Sequence, residues 1–273
     1  MQITFFGATG PSGKARIQEV LCRDYTIVVF ACSPHKLDAE LKSSGRVYVI
    51  QGSVSLGASL RSTHSLSSHG STPSLQTFPS VLCNRQAAQL RTLDSYSSVL
   101  ASLQNSVAVL VLLSPADGFP HWAGGSSTPL TVTKGYRNII RAMSELQIKR
   151  LIGIGTPSHV EALDNFNRSV ILGVRVLRLL LLKAYEDVVE TGKLLKTLSE
   201  GKGLLEANGD DGSAGDNVDI DWTWIRVPFL YDGSGGSQYN LGEELARAML
   251  DELDQRKWIK GMELKQINAR LKS

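Results

Sequence analysis

Apolar residues fall along this chain in short unbroken runs separated by stretches of helical spacing. Six runs stand out: residues 3–6 (ITFF), 25–32 (YTIVVFAC), 47–51 (VYVIQ), 107–114 (VAVLVLLS), 150–156 (RLIGIGT) and 222–230 (WTWIRVPFL). A strand with one face in water alternates apolar and polar side chains. A strand covered on both faces does not, so these runs predict a parallel sheet held between two layers of helix. Helical periodicity fills the gaps at 14–23, 95–104 and 133–147, and as one long element at 169–198. Alternation of this kind winds through right-handed crossovers into an α/β, doubly wound parallel sheet.

Two stretches break the rhythm. Residues 55–80 are rich in Ser and Thr, with Gly, Pro, His64 and His69, and carry neither period. The composition is that of a disordered surface insert or of a translated non-coding segment. Residues 200–219 contain GKG and NGDDGSAGDN and read as an acidic, glycine-rich loop. With both set aside, 273 residues suit one domain with a sizeable core.

Composition narrows the function classes. Hydrophobic content of 42% and charged content of 20% are those of a globular protein. The net charge of +3 comes from scattered basic residues, which argues against a nucleic-acid partner. Cys22, Cys32 and Cys83 are widely spaced and unpaired in pattern, so neither a disulfide framework nor a metal site is expected and a cytoplasmic location fits. The N-terminus lacks the basic and apolar regions of a secretory signal. The apolar stretch 170–182 is interrupted by Arg175 and Arg178 and is short of the ~20 residues that span a bilayer, so no transmembrane segment is expected. A buried helix, or one that contacts a partner or a second copy, is the expectation there.

The chemistry begins where the first run ends. Gly7-Ala8-Thr9-Gly10-Pro11-Ser12-Gly13 follows the strand at once and precedes a helix, a G-x-x-G-x-x-G turn in the context that holds a dinucleotide. Gly7 would serve the tight corner, Gly10 the approach of a pyrophosphate, and Gly13 the close packing of the new helix, whose free N–H groups face the anion. Gly13-Lys14 also resembles the end of a nucleotide-hydrolase phosphate loop. Five residues rather than four separate Gly7 from Gly13, however, and Ala15 stands where a magnesium-binding hydroxyl is needed.

Later strand ends extend the candidate site. After the second run come Cys32-Ser33-Pro34-His35-Lys36, with no carboxylate before Asp38. A carboxylate there would favour the ribose hydroxyls of NAD, whereas small polar and basic groups favour the 2′-phosphate, so NADP(H) is expected over NAD(H). The alternative is that His35 and Lys36 simply open a solvated helix. Ser53 could meet the adenine edge, and Ser114 and Pro115 adjoin the crevice where strand order reverses. Thr156 and Ser158 would orient a substrate or else cap the following turn. Tyr185 either donates a proton to a substrate carbonyl or packs its ring on the core. Val189 occupies the place where a Y-x-x-x-K pair would carry lysine, which suits a proton donor for reduction better than a base for oxidation.

Taken together, GATGPSGK, the segment 34–37, residues 111–115, 129–131 with 135–140, 150–158, Ala184-Tyr185-Glu186-Asp187 and 221–228 resemble an atypical short-chain dehydrogenase/reductase. The likeness is to the NmrA-like, NAD(P)H-binding branch related to biliverdin and flavin reductases, including fungal NAD(P)-binding domain proteins. The resemblance implies a Rossmann sheet with a small C-terminal substrate region and NADP(H) as cofactor. It departs from the branch at Cys32, where members often carry Arg, and at Ser53, where they often carry Asp. It implies a reductase of a small carbonyl-bearing or planar molecule. A non-catalytic NADP(H)-sensing protein and a tailoring isomerase or dehydratase are the alternatives, since the branch includes dinucleotide sensors and fold does not decide activity.

Overall fold

A computed structural model describes residues 1–52, 95–113, 131–159, 168–180, 182–200, 219–227, 241–256 and 261–264. The whole insert 55–80 and all but the two end residues of the acidic loop 200–219, together with Ser53, Ser114 and Pro115, lie outside the described residues.

All six apolar runs overlap strands: β1 (Gln2–Phe6), β2 (Thr26–Ala31), β3 (Val47–Gln51), β4 (Ala108–Val111), β5 (Arg150–Gly155) and β6 (Asp221–Arg226). A seventh, β7 (Gly261–Leu264), was not expected. They form one sheet in the order β3-β2-β1-β4-β5-β6-β7, with every neighbouring pair parallel. This is the doubly wound order, and it reverses direction between β1 and β4.

Successive side chains of each strand feed opposite cores, which is why the runs do not alternate. Ile3, Phe5, Val29, Leu110, Ile152 and Ile225 lie on one face. They pack with Ile17 and Val20 of α1 (Pro11–Cys22), Leu41 of α2 (Ala39–Ser43) and Leu245 and Met249 of α7 (Leu241–Gln255). Phe6, Phe30, Val109, Val111, Leu151 and Trp224 lie on the other. There they meet Val99 and Leu103 of α3 (Ser95–Leu103), Tyr136 and Ile140 of α4 (Thr131–Glu145) and Leu194 and Leu198 of α6 (Leu182–Ser199). Phe5 and Phe6 are both fully buried, on opposite faces, each contributing about 1.5–3 kcal/mol.

Across the expected helix at 169–198, helix is described over α5 (Arg168–Leu180) and α6 (Leu182–Ser199). The two differ in environment. Along α6 a stripe of Asp187, Thr191, Leu194, Leu195 and Leu198 is buried, whereas on α5 Leu172 is 62% and Leu179 83% exposed. No described helix is long and apolar enough to cross a membrane.

Helices α1 and α4 end in paired reverse bonds of the Schellman type. Tyr25 N donates to Val20 O (3.4 Å) and Asp24 N to Leu21 O (3.3 Å), and Ile148 N donates to Met143 O (2.9 Å) and Gln147 N to Ser144 O (3.2 Å). Asp24 and Gln147 carry the left-handed φ these ends require, at 59° and 56°. Each end turns the chain directly into the next strand region.

Candidate functional site

Because the strands are parallel, their carboxyl ends share one edge, and the candidate residues that are described gather mainly there. The glycine turn leaves β1 at the point where strand order reverses. A Cβ on Gly7 would stand 2.2 Å from the carbonyl oxygen of Leu112, just past β4, and its φ is +82°. A Cβ on Gly13 would stand 2.3 Å from the carbonyl oxygen of Ala8, so what Gly13 makes room for is the turn's own backbone.

Gly10 is different. It is the N-cap of α1 with an extended backbone (φ −81°, ψ 170°), and nothing lies within 4 Å of where its Cβ would be. Its carbonyl accepts from Gly13 N (2.9 Å) and Lys14 N (3.1 Å), starting the helix, and no side chain caps it. Pro11 opens the helix where its missing N–H is harmless, and Thr9 is half-buried in the turn. Pro11 and Ser12 belong to the first turn of α1, where amide groups have no partner within the helix.

After β2, Cys32 is exposed and a free thiol, Ser33 is half-buried, and His35 and Lys36 are exposed on a short 3-10 turn, Pro34–Lys36. Ser33 stands at the N-cap of that turn without a side-chain capping bond. Asp38, at the N-cap of α2, makes none either, and its Oδ1 accepts from Lys14 Nζ at 2.6 Å. The ion pair links the first turn of α1 to the segment after β2.

After β5, the Thr156 hydroxyl donates to Ser158 Oγ at 2.9 Å, and Ser158 N donates to Thr156 Oγ1 at 3.4 Å. The two hydroxyls therefore meet, in the mutual arrangement of a capped turn. The loop they occupy is tethered from β6: Arg226, 1% exposed, donates from Nη1 to the His159 carbonyl at 2.8 Å. Trp224 lies flat against β5, since a Cβ on Gly155 would fall 2.3 Å from its ring, and the Tyr136 hydroxyl would stand 2.4 Å from one on Gly153. Gly192 on α6 makes room for the His159 ring in the same way, at 2.6 Å. Two glycines two residues apart in a strand are a signal for a close-packed aromatic ring on that face.

Tyr185 is half-buried on α6, and its ring meets the Arg178 guanidinium of α5 with 5.7 Å to the centroid. The described contacts thus join Thr156 to Ser158 and Tyr185 to Arg178. The neighbouring Asp187 has a role that sequence reasoning missed. Its buried carboxylate accepts from Val132 N (2.8 Å), Thr133 N (2.8 Å) and Thr133 Oγ1 (2.7 Å), capping α4 from another helix. Thr191, one turn on, joins the same cluster at 3.0 Å from Thr133 Oγ1.

Among the described residues no cluster of His, Cys, Asp or Glu could hold a metal ion. A shallow pocket lined by Met143, Gln147, Lys149 and Asp219 opens at the amino edge of the sheet, away from these groups.

No family model matches the chain, and no curated protein matches it by sequence. Solved structures do match it by shape. A short-chain dehydrogenase/reductase from Veillonella parvula DSM 2008, in complex with NADP, is 14% identical over 96% of this chain and 92% of its own, with a TM-score of 0.55. An oxidoreductase from Lactococcus lactis is 14% identical over 96% and 89%, also with a TM-score of 0.55. A UDP-N-acetylglucosamine 4-epimerase from Bacillus cereus is 12% identical over 96% and 77%, with a TM-score of 0.51. At such identities the likeness is one of fold alone, and the chain has a Rossmann-like α/β fold like those structures.

Proposed function

We propose that this protein binds NADP(H) and reduces a small carbonyl-bearing or planar molecule. The observation that carries the reading is Gly10. Gly7 and Gly13 are demanded by the protein's own packing, but Gly10 has an ordinary backbone and empty space around its missing side chain. Nothing inside the fold requires glycine there, whereas a pyrophosphate lying on the backbone of a helix N-terminus does.

In this reading Thr9, Gly10, Pro11, Ser12 and Gly13 hold the diphosphate, and Ser33, His35 and Lys36 surround the ribose phosphate, with Cys32 beside them. Ser53, Ser114 and Pro115 are assigned to the adenine and crevice walls on sequence grounds. A bound nicotinamide would supply the hydride. Ser158, accepting from Thr156, keeps its own O–H to hydrogen-bond and orient a substrate oxygen, and Tyr185 beside the Arg178 cation donates the one proton that accompanies the hydride. The protein's share is mainly positioning, worth several kcal/mol of barrier.

A second reading is a dinucleotide-binding sensor that docks a partner through α5. It is favoured by the exposure of Leu172 and Leu179 and by the contact of Tyr185 with Arg178.

The test is a titration of NADPH, NADH and their oxidised forms, followed by quenching of tryptophan fluorescence, on wild type and Gly10→Ala. The variant is expected to keep the wild-type melting temperature and to lose at least about tenfold in affinity, because a methyl group would occupy the phosphate's approach. A wild type that binds no nicotinamide nucleotide, or a Gly10→Ala variant that binds as well as wild type, overturns the proposal. NADPH oxidation stimulated by a carbonyl substrate separates the reductase from the sensor.

A further inference from the structure

The pair Lys14–Asp38 is costly to explain as structure. A lysine in the first turn of a helix opposes the helix dipole, and α1 has no acidic residue in that turn to offset it. Asp38 stands where an aspartate ordinarily caps its own helix, yet its carboxylate is turned to Lys14 and α2 goes without that bond. The side chains are 31% and 52% exposed, and an ion pair so open to water adds little to stability, no more than the capping bond forgone. What the pair achieves is placement. It spans the gap between the glycine turn's helix and the turn after β2, the two walls between which an adenosine ribose would lie. Exposed His35 and Lys36 stand on the second wall. Leu37, buried at 3%, pins the wall between them and Asp38.

We propose that Lys14 and Asp38 form a latch over a subsite for the 2′-phosphate of the nucleotide, an inference that rests on the reading of the protein as a dinucleotide binder. In the free protein Asp38 stands in for the phosphate and holds the Lys14 ammonium in place. A phosphomonoester entering between the walls carries more charge than a carboxylate and takes over the ammonium in a charge-assisted bond, and Asp38 is released to water. A nucleotide with a free 2′-hydroxyl offers Lys14 no such anion and leaves the latch closed. Lys14 and Asp38 are therefore specificity-determining residues of opposite sign, one attracting the phosphate and the other competing with it.

The experiment compares NADPH and NADH affinities in wild type, Asp38→Asn and Lys14→Gln, by the same fluorescence titration. Both side chains are partly in water, and melting curves check that each variant is folded. Asp38→Asn is expected to tighten NADPH about three- to tenfold and Lys14→Gln to weaken it about tenfold, with NADH changing less than about twofold in either. The gain in Asp38→Asn should shrink as salt is raised, since it removes a repulsion at an exposed site. If the wild type binds both nucleotides but neither variant alters their ratio, the latch is wrong and the dinucleotide reading stands. If the wild type binds neither, both are overturned.

Discussion

Replacing Asp187 by alanine should damage this protein far more than the loss of an ordinary helix cap. The carboxylate is 3% exposed and accepts three hydrogen bonds of 2.7–2.8 Å from the start of α4. In its absence the Thr133 hydroxyl can still turn to the carbonyl of residue 187, at 3.0 Å, or to Thr191 Oγ1, also at 3.0 Å. The amides of Val132 and Thr133 have no such alternative, and each buried amide left without an acceptor costs about 1–3 kcal/mol. Loss of the negative charge at the helix N-terminus adds about 0.5–1 kcal/mol. Relief from burying a carboxylate returns part of this. The net loss is about 2–4 kcal/mol, against about 1 for an exposed cap. For a chain of this size that lowers Tm by about 5–15 °C. Asp187→Asn, whose amide oxygen still accepts from one of the two amides, should fall between wild type and alanine. Thermal and urea unfolding would measure both. A loss below about 0.5 kcal/mol for Asp187→Ala would refute the claim that one carboxylate locks α6 onto α4. The same lock fixes the stretch of α6 that carries Tyr185 against the start of α4.

Tyr136→Phe should be neutral or should stabilise by up to about 1 kcal/mol in urea unfolding. The phenol is fully buried, its hydroxyl has no hydrogen-bond partner among the described residues, and the Trp224 indole N–H turned toward it does not reach bonding geometry. A loss above about 1 kcal/mol would mean that the hydroxyl has a partner. Burial holds this tyrosine above its ordinary pKa, so its contribution to stability is present below pH ~10 and declines as pH rises beyond that. The decline should be shallower in Tyr136→Phe. Tyr185→Phe should leave NADPH affinity within about twofold of wild type while lowering substrate-dependent NADPH oxidation about 100-fold, the usual scale of one proton donor. Undiminished turnover would return Tyr185 to a packing role against Arg178.

The strands were legible because burial on both faces leaves a mark that no other element makes. Each run overlaps its strand, and β3 matches it at both ends. Helix α7 was readable in principle: Leu245, Met249 and Leu253 recur every four residues among charges. The glycine turn was legible as a motif, but its meaning was not. That Gly10 alone is unexplained by packing emerges only from what surrounds each missing Cβ. Asp187 could not be read at all, since its partners lie 54 and 55 residues away. Asp38 looked like a carboxylate too distant to matter for a ribose, and its bond to Lys14 depends on how two loops meet.

Polar groups are held differently at two places along the edges of the sheet, and the difference bears on the proposed site. At the amino edge one charge cluster is turned inward. Arg150, 1% exposed, pairs with Glu252 at 2.6 Å and also reaches the carbonyls of Glu252 and Asp221, while Thr223 donates to the same carboxylate at 3.0 Å. Burial alone would pull the Arg150 guanidinium well down, and Glu252 restores part of what burial removes. Such a cluster fixes α7 to β5 and β6 in one register and leaves little over for a ligand. At the carboxyl edge the glycine turn and the segment after β2 are held differently. Ser33 and Asp38 occupy N-caps without capping, Gly10 leaves open space at a helix N-terminus, and Lys14 is held only by an exposed pair. Each of these forgoes stability that a neighbouring rotamer or a bulkier residue could supply. The open backbone at Gly10 and the loosely held Lys14 leave the start of α1 able to take a group from solution, and donors without acceptors at a helix N-terminus select an anion.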